Sequence, residues 1–197
     1  MNHLAHLRLA NPSDEARLGN LLGDFVKGCL ANHSDRYSPV ILQGIQTHRD
    51  IDQFTDRHPV HYRSRQRLQP PYRRLAGIII DISYDHFLTR NWHHFYANSL
   101  DQFIDDVYKL LWRDRDRLPE SLQRALPTMI QQNWLGDCRT MAGVDRTFAR
   151  VARRFKRPTC LATAGQEVMQ HYDDLEQDFL DFFPRLMHYA QELQRDL

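Results

Sequence analysis

Apolar residues recur every three or four positions along most of this chain, and that spacing limits the fold more than any other feature. One such stripe, with the period of a single helix face, consists of Leu100, Phe103, Ile104, Val107 and Leu111. Prolines stand mainly where helices would begin, as Pro39 does behind the potential N-cap Ser38. Strand-like alternation is scarce, so the pattern predicts an all-α protein.

Composition then limits the size and class of the molecule. The chain has 197 residues, of which 42% are apolar, enough for one sizeable core. No linker-like run divides it, so we expect a single-domain helical bundle over residues 1–197. The formal net charge of +1 argues against a strongly basic nucleic-acid-binding protein. No segment reaches the roughly 20 apolar residues of a membrane span, and no signal peptide is evident, so we expect a cytoplasmic protein with no membrane partner.

Carboxylates interrupt an apolar stripe in the segment 72–91. Three- and four-residue steps from Ile78 place Asp81 and Asp85 on a helix face that otherwise looks buried, and His86 follows at once. A buried carboxylate is very costly unless it is paired or binds a metal. The sequence therefore predicts a cation near Asp81 and Asp85.

Two earlier segments show the same irregularity. His48 and Asp52 are four residues apart and share a helix face, with Arg49 beside them. Asp24 lies in GNLLGDFVKG, where three glycines each weaken a helix by about 1 kcal/mol relative to alanine. That cost makes sense if the backbone approaches another helix or a ligand closely.

These groups suggest a metal site. Seven residues could converge in a helical bundle: His6, Asp24, His48, Asp52, Asp81, Asp85 and His86. Mixed imidazole and carboxylate ligands suit Mn²⁺, Fe²⁺ or Zn²⁺. Each residue also has an alternative without a metal. A lone histidine on an apolar face can be a hydrogen-bonded core residue, and an aspartate near a histidine or arginine can form a plain ion pair. A di-iron bundle does not fit, because the nearest motif, Glu167 to His171, has the wrong spacing.

Four motifs in order resemble the acyl carrier protein phosphodiesterase family: MNHLAHLRLA, GNLLGDFVKG, GIQTHRDIDQFTD and IIIDISYDHFLTRNW. A looser match continues to HYDDLEQDFLDFFPRL. That family is similar to the HD-domain phosphohydrolases with a rearranged ligand order, which implies a bundle of that kind. The usual His-Asp pair is reversed here as Asp85-His86.

The resemblance implies hydrolysis of the phosphodiester between 4′-phosphopantetheine and a serine of holo-acyl carrier protein, with Mn²⁺ preferred. It implies a metal shell of Asp24, His48, Asp85 and His86, with His6 a further metal candidate; we give His3 no role. Asp81 or Asp52, or a histidine, would accept a proton from water. Arg49 and Lys27 would offset phosphoryl charge.

The partner that the resemblance implies is a small acidic protein, which calls for a basic docking face. Segment 57–74 carries six arginines and no acid, and we favour its members Arg63, Arg65 and Arg67 as substrate-binding residues. Segment 150–157 is also basic without acids. Either segment alone is equally typical of a solvated helix face.

Two other functions remain open from the sequence alone. One is a metal phosphohydrolase acting on nucleotides or another small phosphodiester, which would share the metal site without a basic face. The other is a non-catalytic helical adaptor whose histidines and aspartates form structural ion pairs. The oligomeric state is not determined by the sequence.

Overall fold

Our computed structural model describes residues 1–195, in which eleven α-helices and five short 3₁₀ segments occur and no strand is present. This confirms the all-α prediction. The helices are α1 (His3–Leu9), α2 (Asp14–Leu22), α3 (Pro39–Arg57), α4 (Pro59–Arg67), α5 (Ala76–Arg90), α6 (Trp92–Phe95), α7 (Leu100–Arg113), α8 (Glu120–Gln131), α9 (Met141–Ala152), α10 (Ala164–Gln170) and α11 (Tyr172–Arg195). None of these helices combines the length and the apolar character that a membrane crossing requires.

The helix starts follow local chemistry where side-chain caps form. Ser13 accepts a hydrogen bond from the Ala16 amide at 3.3 Å, and Ser38 accepts one from Ile41 at 3.3 Å. The Ser99 side chain, at the start of α7, makes no cap hydrogen bond. Pro184 lies inside α11 without ending it.

Helix α5 is the centre of the fold. Its residues Ile79, Ile80, Tyr84 and Phe87 are fully buried. Helix α1, which the sequence pattern did not predict, packs against α2 and α5, while α11 covers α3, α4 and α5. The first turns of α1 therefore lie beside the carboxylates of α5.

Helices α2 and α3 approach each other unusually closely because glycines face each other. A Cβ on Gly19 would lie 2.2 Å from the Ile41 carbonyl oxygen, and one on Gly44 would lie 2.6 Å from the Ala16 oxygen. No larger residue fits at either position. This confirms the interpretation of Gly19 as a site of close helix approach, and the contact brings the end of α2 next to α3.

Candidate metal centre

Helices α1 and α3 bring two histidines and an aspartate to one point. His6 Nε2 lies 3.0 Å from Asp52 Oδ1, and His48 Nε2 lies 3.1 Å from Asp52 Oδ2. The two imidazole rings stack with centroids 3.8 Å apart. One potential ligand atom from each residue lies within 4.8 Å of the others. The predicted shared face of His48 and Asp52 is confirmed, since the four-residue spacing points both side chains to this group.

Asp24, in the turn after α2, completes the cluster. Its Oδ1 lies 3.7 Å from His48 Nε2, and its Oδ2 lies 3.1 Å from His3 Nδ1. His3 has no role in the prediction from sequence, yet the structure places it at the site. Its three-residue spacing from His6 would have indicated this, had α1 been recognised as a helix.

Burial separates the two kinds of ligand. The side chains of His6 and His48 are buried, whereas those of Asp24 and Asp52 each keep 45% of their surface exposed. Burial lowers the pKa of His6 to about 4 against the opposing hydrogen bond to Asp52, so its imidazole is neutral at neutral pH. Burial opposes ionisation of Asp52, but hydrogen bonds from His48 and His6 outweigh it and hold its pKa well below the usual value.

The donor set fits a divalent metal ion. His6 Nδ1 lies 3.2 Å from Asn20 Oδ1, so a neutral ring that donates its single proton there, in place of the Nε2–Asp52 hydrogen bond, would present the Nε2 lone pair to an ion. Neutral imidazoles and ionised carboxylates are the ligand forms that such ions require. His6, His48 and Asp52 are thus compatible with a divalent metal, and Asp24 lies within reach of the same point.

Gly23 makes room for the His48 ring, because a Cβ at Gly23 would lie 2.2 Å from His48 Cγ. Replacing it with alanine must move this imidazole. We expect Gly23→Ala to weaken Mn²⁺ binding by about 10- to 100-fold in titration calorimetry, the cost typical of disturbing a ligand's support. Gly77→Ala is the control, since no atom lies within 4 Å of its Cβ position. Unchanged affinity in Gly23→Ala would show that His48 is not a ligand.

Asp81 lies beside the cluster and forms an ion pair with the Met1 amino group, which is a cation as the sequence predicts near Asp81. The Met1 amino group lies 2.9 Å from Asp81 Oδ1 and 4.0 Å from Asp52 Oδ1. His61 Nε2 is 3.4 Å from the same Asp81 oxygen. Burial opposes ionisation of Asp81, yet the amino group and His61 outweigh it and lower its pKa.

Asp85 and His86, both expected as metal ligands, are engaged elsewhere. Asp85 Oδ2 and Oδ1 accept hydrogen bonds from the Leu4 and Ala5 amides at 3.0 and 3.3 Å. Burial raises the pKa of Asp85 to about 6, although these hydrogen bonds oppose the shift. His86 Nδ1 and Nε2 contact the Cys138 carbonyl oxygen and the Tyr172 hydroxyl at 2.7 and 2.8 Å. Both residues are therefore outside the His6–His48–Asp52 group, although Asp85 lines the same cavity as Asp24 and Asp81.

The expected phosphate-binding cations, Arg49 and Lys27, make other contacts or none within the described part of the chain. The Arg49 guanidinium donates to the Val26 carbonyl oxygen at 3.0 Å. Lys27 is exposed and pairs with no carboxylate within residues 1–195. Neither residue lines the large cavity that adjoins the cluster.

The three arginines favoured from the sequence, Arg63, Arg65 and Arg67, are paired with carboxylates in the structure. Arg63 and Arg67 both bind the buried carboxylate of Asp178, through contacts of 2.6 and 2.8 Å. Arg63 also reaches Asp181, Arg67 reaches Asp174, and Arg65 lies 3.8 Å from Asp56. The segment itself holds no acids, because the carboxylates that pair with Arg63 and Arg67 are more than 100 residues away, on α11.

The cavity beside the cluster has a volume of about 990 Å³. It is lined by His3 from α1, by Asp24 from the turn after α2 and by Asp81 from α5. The remaining walls come chiefly from α8, α9 and the segment after α9, including Leu122, Met129 and Arg154. Small-molecule sites commonly have volumes of roughly 300–1,000 Å³. The cavity is thus large enough for an extended substrate group next to the cluster.

Comparison with known proteins identifies the family of the chain. The profile of the family described as acyl carrier protein phosphodiesterase matches residues 1–186. The chain belongs to the acyl carrier protein phosphodiesterase family. It is 36% identical over 192 residues to the member from Photorhabdus laumondii, covering 97% of this chain and 96% of that protein.

Other relatives agree over nearly their whole length. The acyl carrier protein phosphodiesterase of Yersinia enterocolitica is 36% identical over 195 residues, covering 98% of this chain and 100% of that protein. The one from Pectobacterium atrosepticum is 32% identical with the same coverage. No solved structure matches this chain.

Proposed function

We propose that this protein hydrolyses the phosphodiester bond between 4′-phosphopantetheine and a serine of acyl carrier protein. The products are apo-acyl carrier protein and free 4′-phosphopantetheine. The observation that carries the proposal is the convergence of His6, His48 and Asp52 beside a large cavity, in a member of this family. The relatives' names supply the substrate, and the donor set supplies the chemistry.

The metal ligands we propose are His6, His48, Asp52 and Asp24, with Mn²⁺ as the expected ion. When bound, such an ion polarises a phosphoryl oxygen and lowers the pKa of water. His6 presents Nε2 because Asn20 occupies its other nitrogen. Asp52 bridges both buried imidazoles and fixes their orientation.

Two further residues on the cavity wall would handle protons. Asp81 is ionised and lines the cavity, so we assign it the acceptance of a proton from the attacking water. His3 also lines the cavity, and the Asp24 carboxylate holds its ring. We assign His3 the donation of a proton to the departing serine oxygen. Arg49 and Lys27 receive no role, since neither lines the cavity.

Mass spectrometry of holo-acyl carrier protein tests the proposal. Incubation with this protein and Mn²⁺ should remove the mass of the phosphopantetheine arm, and chelation with EDTA should prevent it. Bis(4-nitrophenyl) phosphate, a small generic phosphodiester, serves as the parallel substrate.

Each other outcome contradicts the proposal in a specific way. Cleavage of the small diester without loss of the arm would favour a phosphohydrolase with another substrate. No cleavage of either, with no metal found in the purified protein, would favour a non-catalytic adaptor.

A further inference from the structure

The segment that follows α9 carries positive charge without counter-ions. Its five residues, Arg153, Arg154, Phe155, Lys156 and Arg157, are all exposed, and we call them the α9 rim. No carboxylate within residues 1–195 forms an ion pair with any of the four basic side chains. Phe155 stands between them with 38% of its surface exposed. The α9 rim is therefore a basic surface with an apolar centre.

Neighbouring arginines, by contrast, are paired with buried carboxylates. Arg146 and Arg150, on α9 itself, both bind the buried Asp137 through contacts of 2.6 Å. Arg63 and Arg67 are neutralised on α11 in the same way. Unpaired basic residues in the rim leave a field that attracts acidic partners.

The rim borders the same cavity as the candidate metal centre. Arg153, Arg154 and Phe155 line that cavity together with Asp24 and Asp81. A protein seated on the rim can therefore place a group attached to its surface inside the cavity. A phosphodiester attached directly to that surface lies close to the docked face, as cleavage at the metal centre requires.

We propose that the α9 rim is the docking surface for the acidic face of the carrier protein, an inference that rests on the function proposed above. The basic side chains meet carboxylates of the partner, and Phe155 supplies an apolar contact at the centre of the patch. Charge complementarity of this kind speeds association and depends on salt. The residues favoured from the sequence, Arg63, Arg65 and Arg67, are instead paired with carboxylates of this chain.

Charge reversal tests the docking surface. In R153E/R154E we expect KM for holo-acyl carrier protein to rise about 10-fold or more, equivalent to about 1.4 kcal/mol, with little change in kcat. Cleavage of bis(4-nitrophenyl) phosphate should fall less than cleavage of holo-acyl carrier protein in R153E/R154E, and it should stay unchanged in K156E/R157E, whose side chains do not line the cavity. R73E/R74E is the matched control, because it makes the same charge change at two exposed arginines outside the cavity. K156E/R157E replaces the first variant if that one melts early.

The outcomes separate docking from catalysis. An equal rise of KM in R73E/R74E, or equal loss of both substrates in R153E/R154E, would overturn the docking surface. Titration calorimetry with apo-acyl carrier protein needs no cleavage. If apo-acyl carrier protein binds this protein but not R153E/R154E, the docking surface is supported even if the proposed reaction fails. If R153E/R154E binds it equally well, the docking surface is refuted and the proposed reaction is not.

Discussion

Asp52→Ala is expected to lower kcat/KM for holo-acyl carrier protein by about 10³-fold or more, a loss of about 4 kcal/mol of transition-state stabilisation. The reason is that both Asp52 oxygens contact the buried imidazoles of His6 and His48 at 3.0 and 3.1 Å. Without the carboxylate, the rings lose the partner that orients them and the cluster loses an anionic ligand. Metal content after purification, measured by elemental analysis, should fall in parallel.

Asp50→Ala provides the matched control for this substitution. Asp50 lies on the same helix two residues earlier, and within residues 1–195 its carboxylate accepts a hydrogen bond only from the Gln46 side chain, at 2.8 Å. We expect near-normal activity and metal content in that variant. Normal turnover in Asp52→Ala itself would show that the His6–His48–Asp52 group is structural and that the reaction centre lies elsewhere.

Asp178→Ala is expected to cause the largest loss of stability, about 2–4 kcal/mol. Its carboxylate is almost fully buried and accepts hydrogen bonds from Arg63, Arg67 and Ser64. Breaking a buried pair typically costs about 3–5 kcal/mol, and we expect less here because the guanidiniums reach water. Urea unfolding should show a lower midpoint with an unchanged slope.

The contribution of Asp178 to the free energy of unfolding should also depend on pH. Burial opposes ionisation of Asp178, but hydrogen bonds from Arg67, Ser64 and Arg63 outweigh it and lower the pKa in the folded state. The stabilisation is therefore present above the unfolded pKa near 4 and is lost as pH falls below it. Asp178→Ala should remove this acid-sensitive part.

Asp181→Ala is the control for the buried carboxylate. Asp181 also contacts Arg63, at 3.1 Å, but its side chain is 42% exposed. We expect a loss below about 1 kcal/mol, as for surface ion pairs. Equal effects at the two positions would contradict the view that Asp178 anchors the α4–α11 contact.

Local sequence determined the helices and several details of the site. The caps at Ser13 and Ser38 form, because the hydroxyl and the amide it accepts from are only three residues apart. The four-residue step from His48 to Asp52 places both on one face whatever else the chain does. The glycines of GNLLGDFVKG signalled close approach, and Gly19 and Gly23 do face α3 and His48.

Tertiary structure alone decided which polar residues meet. Asp85 shares a helix face with Asp81, yet its partners are backbone amides of α1, a helix 80 residues earlier in the chain. The spacing of residues along a helix predicts the direction in which a side chain points from the helix axis. It does not predict which other helix packs against that side. The basic segments show the same division. The sequence revealed both, but only the packing of α11 against α4 paired Arg63 and Arg67 with Asp178.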